Sequence, residues 1–93
     1  MMEEKELNEK LAKLKGWTIQ ENSLYREFRF NNFNEAFGFM TRVALEAEKM
    51  DHHPDLKNSY NKVEIYLFTH DQKEITEKDF QLAKAIDGFA EKL

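Results

Sequence analysis

All three histidines of the chain lie between Glu48 and His70, in a stretch that also carries several carboxylates. His52 and His53 are adjacent and directly precede a proline. His70 ends an alternating apolar run. Imidazole is the side chain that gives and takes protons most readily near neutral pH. Three imidazoles with carboxylates nearby therefore predict a proton-transfer site.

Glu48 and His52 have the i, i+4 spacing that places two side chains on one helix face. We expect this carboxylate to orient the imidazole, and the negative end of the helix dipole to favour its protonated form. Pro54 pushes His53 out of the α region, and this break lets both adjacent imidazoles face one cavity. The simpler alternatives are an exposed ion pair at a helix end and a polar loop with two solvated histidines.

Three histidines and a carboxylate are also a set of ligands that could bind zinc. The helical i, i+4 ligand spacing is absent between the histidines, so we predict a site without a metal. The chain has no cysteine, which excludes a disulfide or a thiolate metal site.

Composition and charge narrow the class of protein. The 93 residues are 41% hydrophobic and 34% charged, which predicts one small globular domain over residues 1–93. The net charge is −4 with no basic block, which argues against nucleic-acid binding. No apolar run approaches the roughly 20 residues of a membrane helix, and the acidic N-terminus does not resemble a signal peptide. We therefore expect a cytoplasmic protein.

The first part of the chain predicts a helix followed by a hairpin. Leu7, Leu11 and Leu14 fall on one helix face, and Gly16 supplies a stop signal. A strand over 17–20, a turn over 21–23 and a strand over 24–30 follow, with Arg26 as an exception on the apolar side of the second strand.

The longest helix is predicted to begin after Asn32, with Glu35 in capping-box position, and to end near 50–52, ahead of Pro54. Its phenylalanines are expected to pack mainly in the core, with Phe37 or Phe39 left to line a pocket or an interface. The apolar residues at helical spacing are Phe33, Phe37, Met40, Val43 or Ala44, and Ala47.

The last third predicts two strands and a helix. Residues 55–59 form a loop or a short edge strand, residues 60–69 form the clearest strand, and a turn covers 71–73. Thr76 opens the last helix, where Asp79 occupies the N3 position of a capping box. The order α-β-β-α-β-β-α predicts an α+β fold, a four-stranded antiparallel sheet with helices packed on one face. The apolar face of the last helix contains Leu82, Ile86, Phe89 and Leu93.

The spaced pattern E-x-x-x-H-H-P, five residues, Y-x-x-V-x-I-x-L-x-T-H resembles the signature of the pterin-4a-carbinolamine dehydratases. The preceding helix over 33–44, the pair Gly16-Trp17 and the helix after Thr76 are also similar to that family. The resemblance covers most of the chain, from about Leu7 to Phe89.

The resemblance implies a hydro-lyase that dehydrates 4a-hydroxytetrahydrobiopterin to quinonoid dihydropterin, without a cofactor or a metal, in the recycling of tetrahydrobiopterin. It implies that His52 and His70 transfer the protons, while the roles of acid and base stay open between them. His53 is then chiefly a substrate-binding residue, although it belongs with Glu48 to the catalytic set. The other residues expected to contact or tune the pterin site are Asp51, Thr69, His70, Trp17 and Asp79.

The resemblance also implies partners. Members of the family are generally dimeric or tetrameric, and their substrate links them to an aromatic amino acid hydroxylase. We expect a homodimer through an exposed edge of strand 60–69, joined into a homotetramer through the helix over 33–50. The alternative function is a non-catalytic dimerisation or regulatory partner, similar to a transcriptional coactivator or a hydroxylase-associated protein.

Overall fold

In the computed structural model of the protein, which describes residues 2–92, three helices pack against a four-stranded antiparallel sheet with strand order β1-β2-β4-β3. The predicted α+β fold and the order α-β-β-α-β-β-α are confirmed. The elements are α1 Glu4–Ala12, β1 Thr18–Gln20, β2 Ser23–Arg29, α2 Phe33–Met50, β3 Asp55–Ser59, β4 Lys62–Leu67 and α3 Glu77–Ala90.

The sheet buries one face, as the alternation of the strands predicts. Val63, Ile65 and Leu67 of β4 are fully buried, while the residues between them are only partly buried. Leu24 of β2, which pairs with Leu67, is also fully buried. The helices supply the other half of this core through Phe39, Val43, Phe80, Leu82, Ala83 and Ile86.

The strand predicted over 60–69 is shorter and lies in the centre of the sheet. Tyr60 has a positive φ of 51° and forms a turn before the strand, and Thr69 pairs only through an isolated bridge with Glu74. Strand β4 is hydrogen-bonded to β2 on one side and to β3 on the other. The prediction that this strand offers a free edge for dimerisation is therefore wrong, and the edge strands are β1 and β3.

The apolar face of α2 was predicted correctly only in part, because Val43 and Ala47 are buried. Phe33 was expected in the core but is 49% exposed, and of Phe37 and Phe39, one of which was expected to leave the core, Phe37 is 54% exposed. The reason is that α2 carries a second apolar set at helical spacing, and this set contains Phe39. Its ring lies 4.7 Å from the ring of Phe28 and 5.9 Å from that of Phe89. The buried set is Ala36, Phe39, Val43 and Ala47.

Local signals define both ends of α2. The side chain of Asn32 accepts a hydrogen bond from the N–H of Glu35 at 2.9 Å, as predicted for an N-cap. The Glu35 carboxylate returns to the N–H of Asn31 at 3.0 Å, not to that of Asn32, so the predicted capping box is shifted by one residue on this side. Asp51 ends the helix with φ 51° and ψ 45°, a left-handed conformation common at helix C-termini.

Arg26, the charged exception on the apolar side of β2, forms an ion pair that holds the hairpin to α3. Its guanidinium lies 2.8 Å from Asp87 Oδ1 and donates to the carbonyl of Lys15 at 3.1 Å. The indole N–H of Trp17 donates to the same carboxylate at 2.9 Å. Burial raises the pKa of the Asp87 carboxyl, and these two donors act in the opposite direction. Gly16 makes this packing possible because a Cβ there would lie 3.0 Å from the guanidinium.

Replacement of Gly16 by alanine tests this packing. Gly16 has a φ of +90°, so Gly16→Ala is expected to lower the free energy of unfolding by about 1–2 kcal/mol. Gly38→Ala is the matched control, because a Cβ at Gly38 in α2 meets no atom within 4 Å and alanine favours a helix by about 0.5–1 kcal/mol. Urea denaturation measures both changes, and equal effects of the two variants would contradict the role of Gly16.

Candidate active site

A fully buried carboxylate, that of Asp79, organises the polar residues at the N-terminal end of α3. Its Oδ1 lies 2.6 Å from Nε2 of His52. Its Oδ2 accepts a hydrogen bond from Thr69 Oγ1 at 2.8 Å and another from the N–H of Thr76 at 2.9 Å. The carboxylate therefore begins the helix, as the capping pattern predicted, and also holds an imidazole.

The hydrogen bonds of Asp79 determine which atom of His52 is available for chemistry. Oδ2 already accepts two hydrogen bonds, and an ionised carboxylate can only accept. Nε2 must then carry a proton and donate it to Oδ1. Within residues 2–92 every buried side-chain nitrogen and oxygen has a hydrogen-bond partner, and Nδ1 of His52 forms no hydrogen bond there. Nδ1 thus has access to solvent, although the residue as a whole is only 8% exposed.

The end of α2 turns His52 toward this carboxylate. The left-handed Asp51 reverses the chain, and the N–H of His52 then bonds the carbonyl of Ala47 at 3.0 Å. This bond belongs to the set that typically closes a helix ending in such a residue. Asp51 itself is exposed, and its side chain forms no hydrogen bond with any described residue, so its contribution here is its backbone conformation.

The prediction that Glu48 orients His52 is wrong, because the reversal of the chain at Asp51 turns His52 away from the helix face of Glu48. Nε2 of His53 lies 2.6 Å from Glu48 Oε1. Both side chains are exposed, His53 by 54% and Glu48 by 75%. The i, i+4 spacing predicts contacts only while the helix continues, and α2 ends before His52.

His70 lies in a short loop that Thr69 and Glu74 close. The two residues exchange backbone hydrogen bonds of 3.0 and 3.4 Å, and the turn between them contains His70. Nε2 of His70 lies 3.8 Å from Asp55 Oδ1, which is an ion-pair distance but longer than a hydrogen bond. The ring also contacts Phe68 edge-on, with centroids 5.4 Å apart. Its side chain is 59% exposed, so it is available to a ligand.

Trp17 lies at a different place in the fold from the Asp79 cluster. It is buried, and its N–H is bound to Asp87. Asp87 follows Asp79 by eight residues along α3, which corresponds to about 12 Å of helix. The expectation that Trp17 contacts the same ligand as His52 is therefore not supported by its position in this chain.

A cavity of about 1150 Å³ also lies away from the histidines. It opens near the N-terminal end of α2 and the C-terminal end of α3, whereas His52 and Asp79 lie at the opposite ends of these helices. None of the three histidines lines this cavity. The cavity is lined by residues that include Arg26, Phe28, Phe30, Glu35, Asp87 and Glu91.

Within residues 2–92, no group of three or more His, Asp or Glu side chains is arranged to hold a metal ion. In the same range, no helix combines the length and the apolar character that a bilayer-spanning segment needs.

Comparison with known proteins decides the family. The family described as Pterin 4 alpha carbinolamine dehydratase matches residues 1–89. The chain belongs to this family.

Individual relatives agree with this assignment. A protein of Christiangramia forsetii, provisionally named a pterin-4-alpha-carbinolamine dehydratase, is 49% identical over 97% of this chain and 93% of its own length. A protein of Rhodospirillum rubrum with the same provisional name is 57% identical over 87% of this chain and 86% of its own length. A crystal structure titled transcriptional coactivator/pterin dehydratase, from Brucella melitensis, is 42% identical and superposes with a TM-score of 0.89, covering 94% of this chain and 95% of that one.

The sequence did not predict that the hydroxyl of Thr76 takes part in the polar network of this site, and it predicted only part of the role of Asp79. The hydroxyl of Thr76 lies 2.6 Å from that of Thr69, although Thr76 was considered only as a helix cap. Asp79 was predicted to cap α3 or to lie near the site. Its carboxylate both caps the helix, through the N–H of Thr76, and contacts His52. The available signal was a carboxylate at position N3 of α3 that is buried against the end of α2, where His52 lies. Recognising this signal requires knowledge of how α2 and α3 pack.

The different burial of the two carboxylate–histidine pairs predicts different costs of removing them. Asp79→Ala should lower the free energy of unfolding by about 3–5 kcal/mol, because it leaves a buried imidazole and two further donors unpaired. Glu48→Ala should leave stability almost unchanged, since exposed ion pairs contribute little. Chemical denaturation of both variants at neutral pH checks this difference. A similar loss in the two variants would contradict the network described for Asp79.

Proposed function

We propose that the protein dehydrates pterin-4a-carbinolamine, 4a-hydroxytetrahydrobiopterin, to quinonoid dihydropterin. The observation that carries the proposal is the buried His52–Asp79 pair, whose remaining nitrogen has access to solvent. Membership of the dehydratase family supplies the substrate class, and an imidazole held in one orientation supplies proton transfer at neutral pH.

The reaction requires two proton movements. The hydroxyl on C4a leaves poorly as hydroxide, so an acid must protonate it as the C–O bond breaks. The proton on N5 passes to a base as the C=N bond forms. Water and the quinonoid product then account for every atom of the substrate, with no change of oxidation state and no covalent intermediate. Positioned acid–base groups typically contribute about 10²–10⁴-fold to such steps.

His52 fits the role of base. With Nε2–H donated to Asp79, the neutral ring presents the lone pair of Nδ1. When Nδ1 accepts a proton, the adjacent carboxylate stabilises the resulting imidazolium, as in other Asp–His pairs. Accepting the N5 proton is the step that gains most from this arrangement.

His70 and His53 fit complementary roles. His70 is exposed near Asp55, and that carboxylate supports the protonated ring that an acid for the C4a hydroxyl must have. His53 is exposed and paired with Glu48, so we assign this pair to binding the pterin and not to moving its protons. The Asp51 carboxylate and the Thr69 backbone remain candidates for substrate contact, because each belongs to a residue next to one of these histidines. The exposed His70 ring is a candidate in its own right.

The proposed division of labour predicts distinct kinetic effects for the three histidines. His52→Ala and His70→Ala should each lower kcat by about 10²-fold or more, as expected for loss of an acid or a base. His53→Ala should mainly raise KM, because it removes binding that is equal in the ground and transition states. Steady-state dehydration of synthetic 4a-hydroxytetrahydropterin measures these values, with circular dichroism as the control for folding. Wild-type kcat in both of the first two variants would refute the assignment.

Independence from metals is a separate prediction. Within residues 2–92 no group of three or more His, Asp or Glu side chains is arranged to hold a metal ion. Activity should therefore survive exhaustive dialysis against a chelator, and the purified protein should contain no stoichiometric zinc. Loss of activity on chelation, with recovery upon addition of one specific metal, would show that the mechanism needs a metal.

We also propose self-association through the outer face of α2, consisting of Phe33, Phe37 and Leu45. These side chains are 49%, 54% and 65% exposed, and two of the rings lie against each other with centroids 5.7 Å apart. Large apolar side chains grouped on one exposed face are typical of an interface. In the predicted homodimer or homotetramer, a second copy of the chain covers this face. In the alternative function, the same face would bind a regulatory partner.

Light scattering tests this interface. The wild-type protein at micromolar concentration should have a mass of at least two chains of 11.1 kDa, and the double variant Phe37→Ser/Leu45→Ser should shift toward one chain. Lys49→Ser, an exposed position of the same helix, is the control and should keep the wild-type mass. A wild-type protein that stays monomeric at high concentration would refute self-association.

A further inference from the structure

We propose that Thr69 and Thr76 are positioning residues whose hydroxyls form a directed chain that fixes the Asp79 carboxylate for His52. The inference rests on the proposed dehydratase activity. The chain of contacts runs from Thr76 Oγ1 to Thr69 Oγ1 at 2.6 Å, and from Thr69 Oγ1 to Asp79 Oδ2 at 2.8 Å.

Proton counting sets the direction of this chain. A threonine hydroxyl has one proton to donate and two lone pairs to accept with. Thr69 donates its proton to Asp79 Oδ2, so toward Thr76 it can only accept. The hydroxyl of Thr76 must therefore donate to Thr69. Each donor in the series polarises the next, which strengthens the bond that reaches the carboxylate.

The chain has a consequence for the tautomer of His52. With the hydroxyl of Thr69 and the N–H of Thr76 both on Oδ2, Asp79 can present only an acceptor at Oδ1. His52 must then keep its proton on Nε2, which leaves Nδ1 as the atom that exchanges a proton with a ligand. Without these donors Oδ2 would lose both hydrogen bonds that hold the carboxylate, and the tautomer of His52 would no longer be imposed.

Thr69 also connects the two histidines that we assign to proton transfer. Its side chain reaches the carboxylate that holds His52, while its backbone is bonded to Glu74 and closes the loop that contains His70. A single residue thus fixes the position of one imidazole and restrains the segment of the other. Thr69 is only 8% exposed, and its hydroxyl acts through Asp79, which leaves only its backbone as a candidate for contact with the pterin.

The test compares valine and serine at each threonine by two measurements. One is the tautomer of His52, read from the ¹⁵N shifts of both ring nitrogens, and the other is kcat and KM for 4a-hydroxytetrahydropterin. Valine keeps the shape of threonine but removes the hydroxyl, whereas serine keeps the hydroxyl. Thr41→Val is the control, because the exposed Thr41 hydroxyl bonds only the carbonyl of Phe37 in its own helix.

We expect a graded result. Thr69→Val should give mixed His52 tautomers and lower kcat about tenfold, with little change in KM, as for loss of a hydrogen bond to a charged group. Thr76→Val should do the same to a smaller extent, since it acts one bond further away. The two serine variants and Thr41→Val should retain the wild-type tautomer and kcat.

Several results would overturn the proposal. Wild-type tautomer and kcat in Thr69→Val would do so, as would a serine variant as impaired as its valine counterpart, because packing of the methyl group would then be the cause. If Thr69→Val does not fold, Thr69→Ser and Thr76→Val decide: the proposal stands only if the first keeps the wild-type tautomer and the second changes it. If the wild-type protein does not dehydrate the pterin, the proposed function fails, while the tautomer still decides the role of the threonines.

Discussion

The carboxylate of Asp79 is the constraint on which the rest of this site depends. An ionised carboxyl group removed from water is costly unless its oxygens are fully hydrogen-bonded. Here three donors satisfy it, and they come from the end of α2, the end of β4 and the beginning of α3. Joining these three elements at one buried charge positions His52 relative to the loop of His70. The helix cap and the candidate catalytic pair are therefore one structure.

Burial then separates three chemically identical side chains into different roles. His52 is almost fully buried and bound to a buried carboxylate, His53 is exposed and paired with an exposed one, and His70 is exposed in a short closed loop. A buried pair has a fixed geometry, which suits proton transfer, whereas exposed pairs adapt to a bound ligand. This chain thus has one buried and two exposed imidazoles, as the mechanism we propose requires.

Much of this fold could be predicted from periodicity and stop signals, and the errors share one cause. The end of α2 near Asp51 and the alternation of Val63, Ile65 and Leu67 follow local signals. The first helix, in contrast, ends at Ala12, before the Gly16 that was predicted to stop it. The phase of α2 is not local: two apolar sets fit the same helical period, and packing of Phe39 against Phe28 and Phe89 selects one of them.

The site shows the same limit. That His52, His53 and His70 are candidate proton-transfer residues could be predicted from their types and spacing. The hydrogen-bond partner of each histidine could not be predicted. The left-handed conformation of Asp51 directs His52 toward Asp79, so that Glu48 pairs with His53 instead. The contact between Asp79 and His52 spans 27 residues, and neither residue indicates it by sequence spacing. Pairings of this kind follow from how the helices pack.

The tautomer of His52 in the wild-type protein tests the central claim most directly. A ¹⁵N-resolved NMR spectrum, recorded at a pH where the ring is neutral, distinguishes a proton on Nε2 from one on Nδ1. A buried carboxylate that accepts at Oδ1 predicts a single tautomer, with the proton on Nε2 and a free lone pair on Nδ1. A ring protonated on Nδ1, or an even mixture of the two forms, would contradict the account.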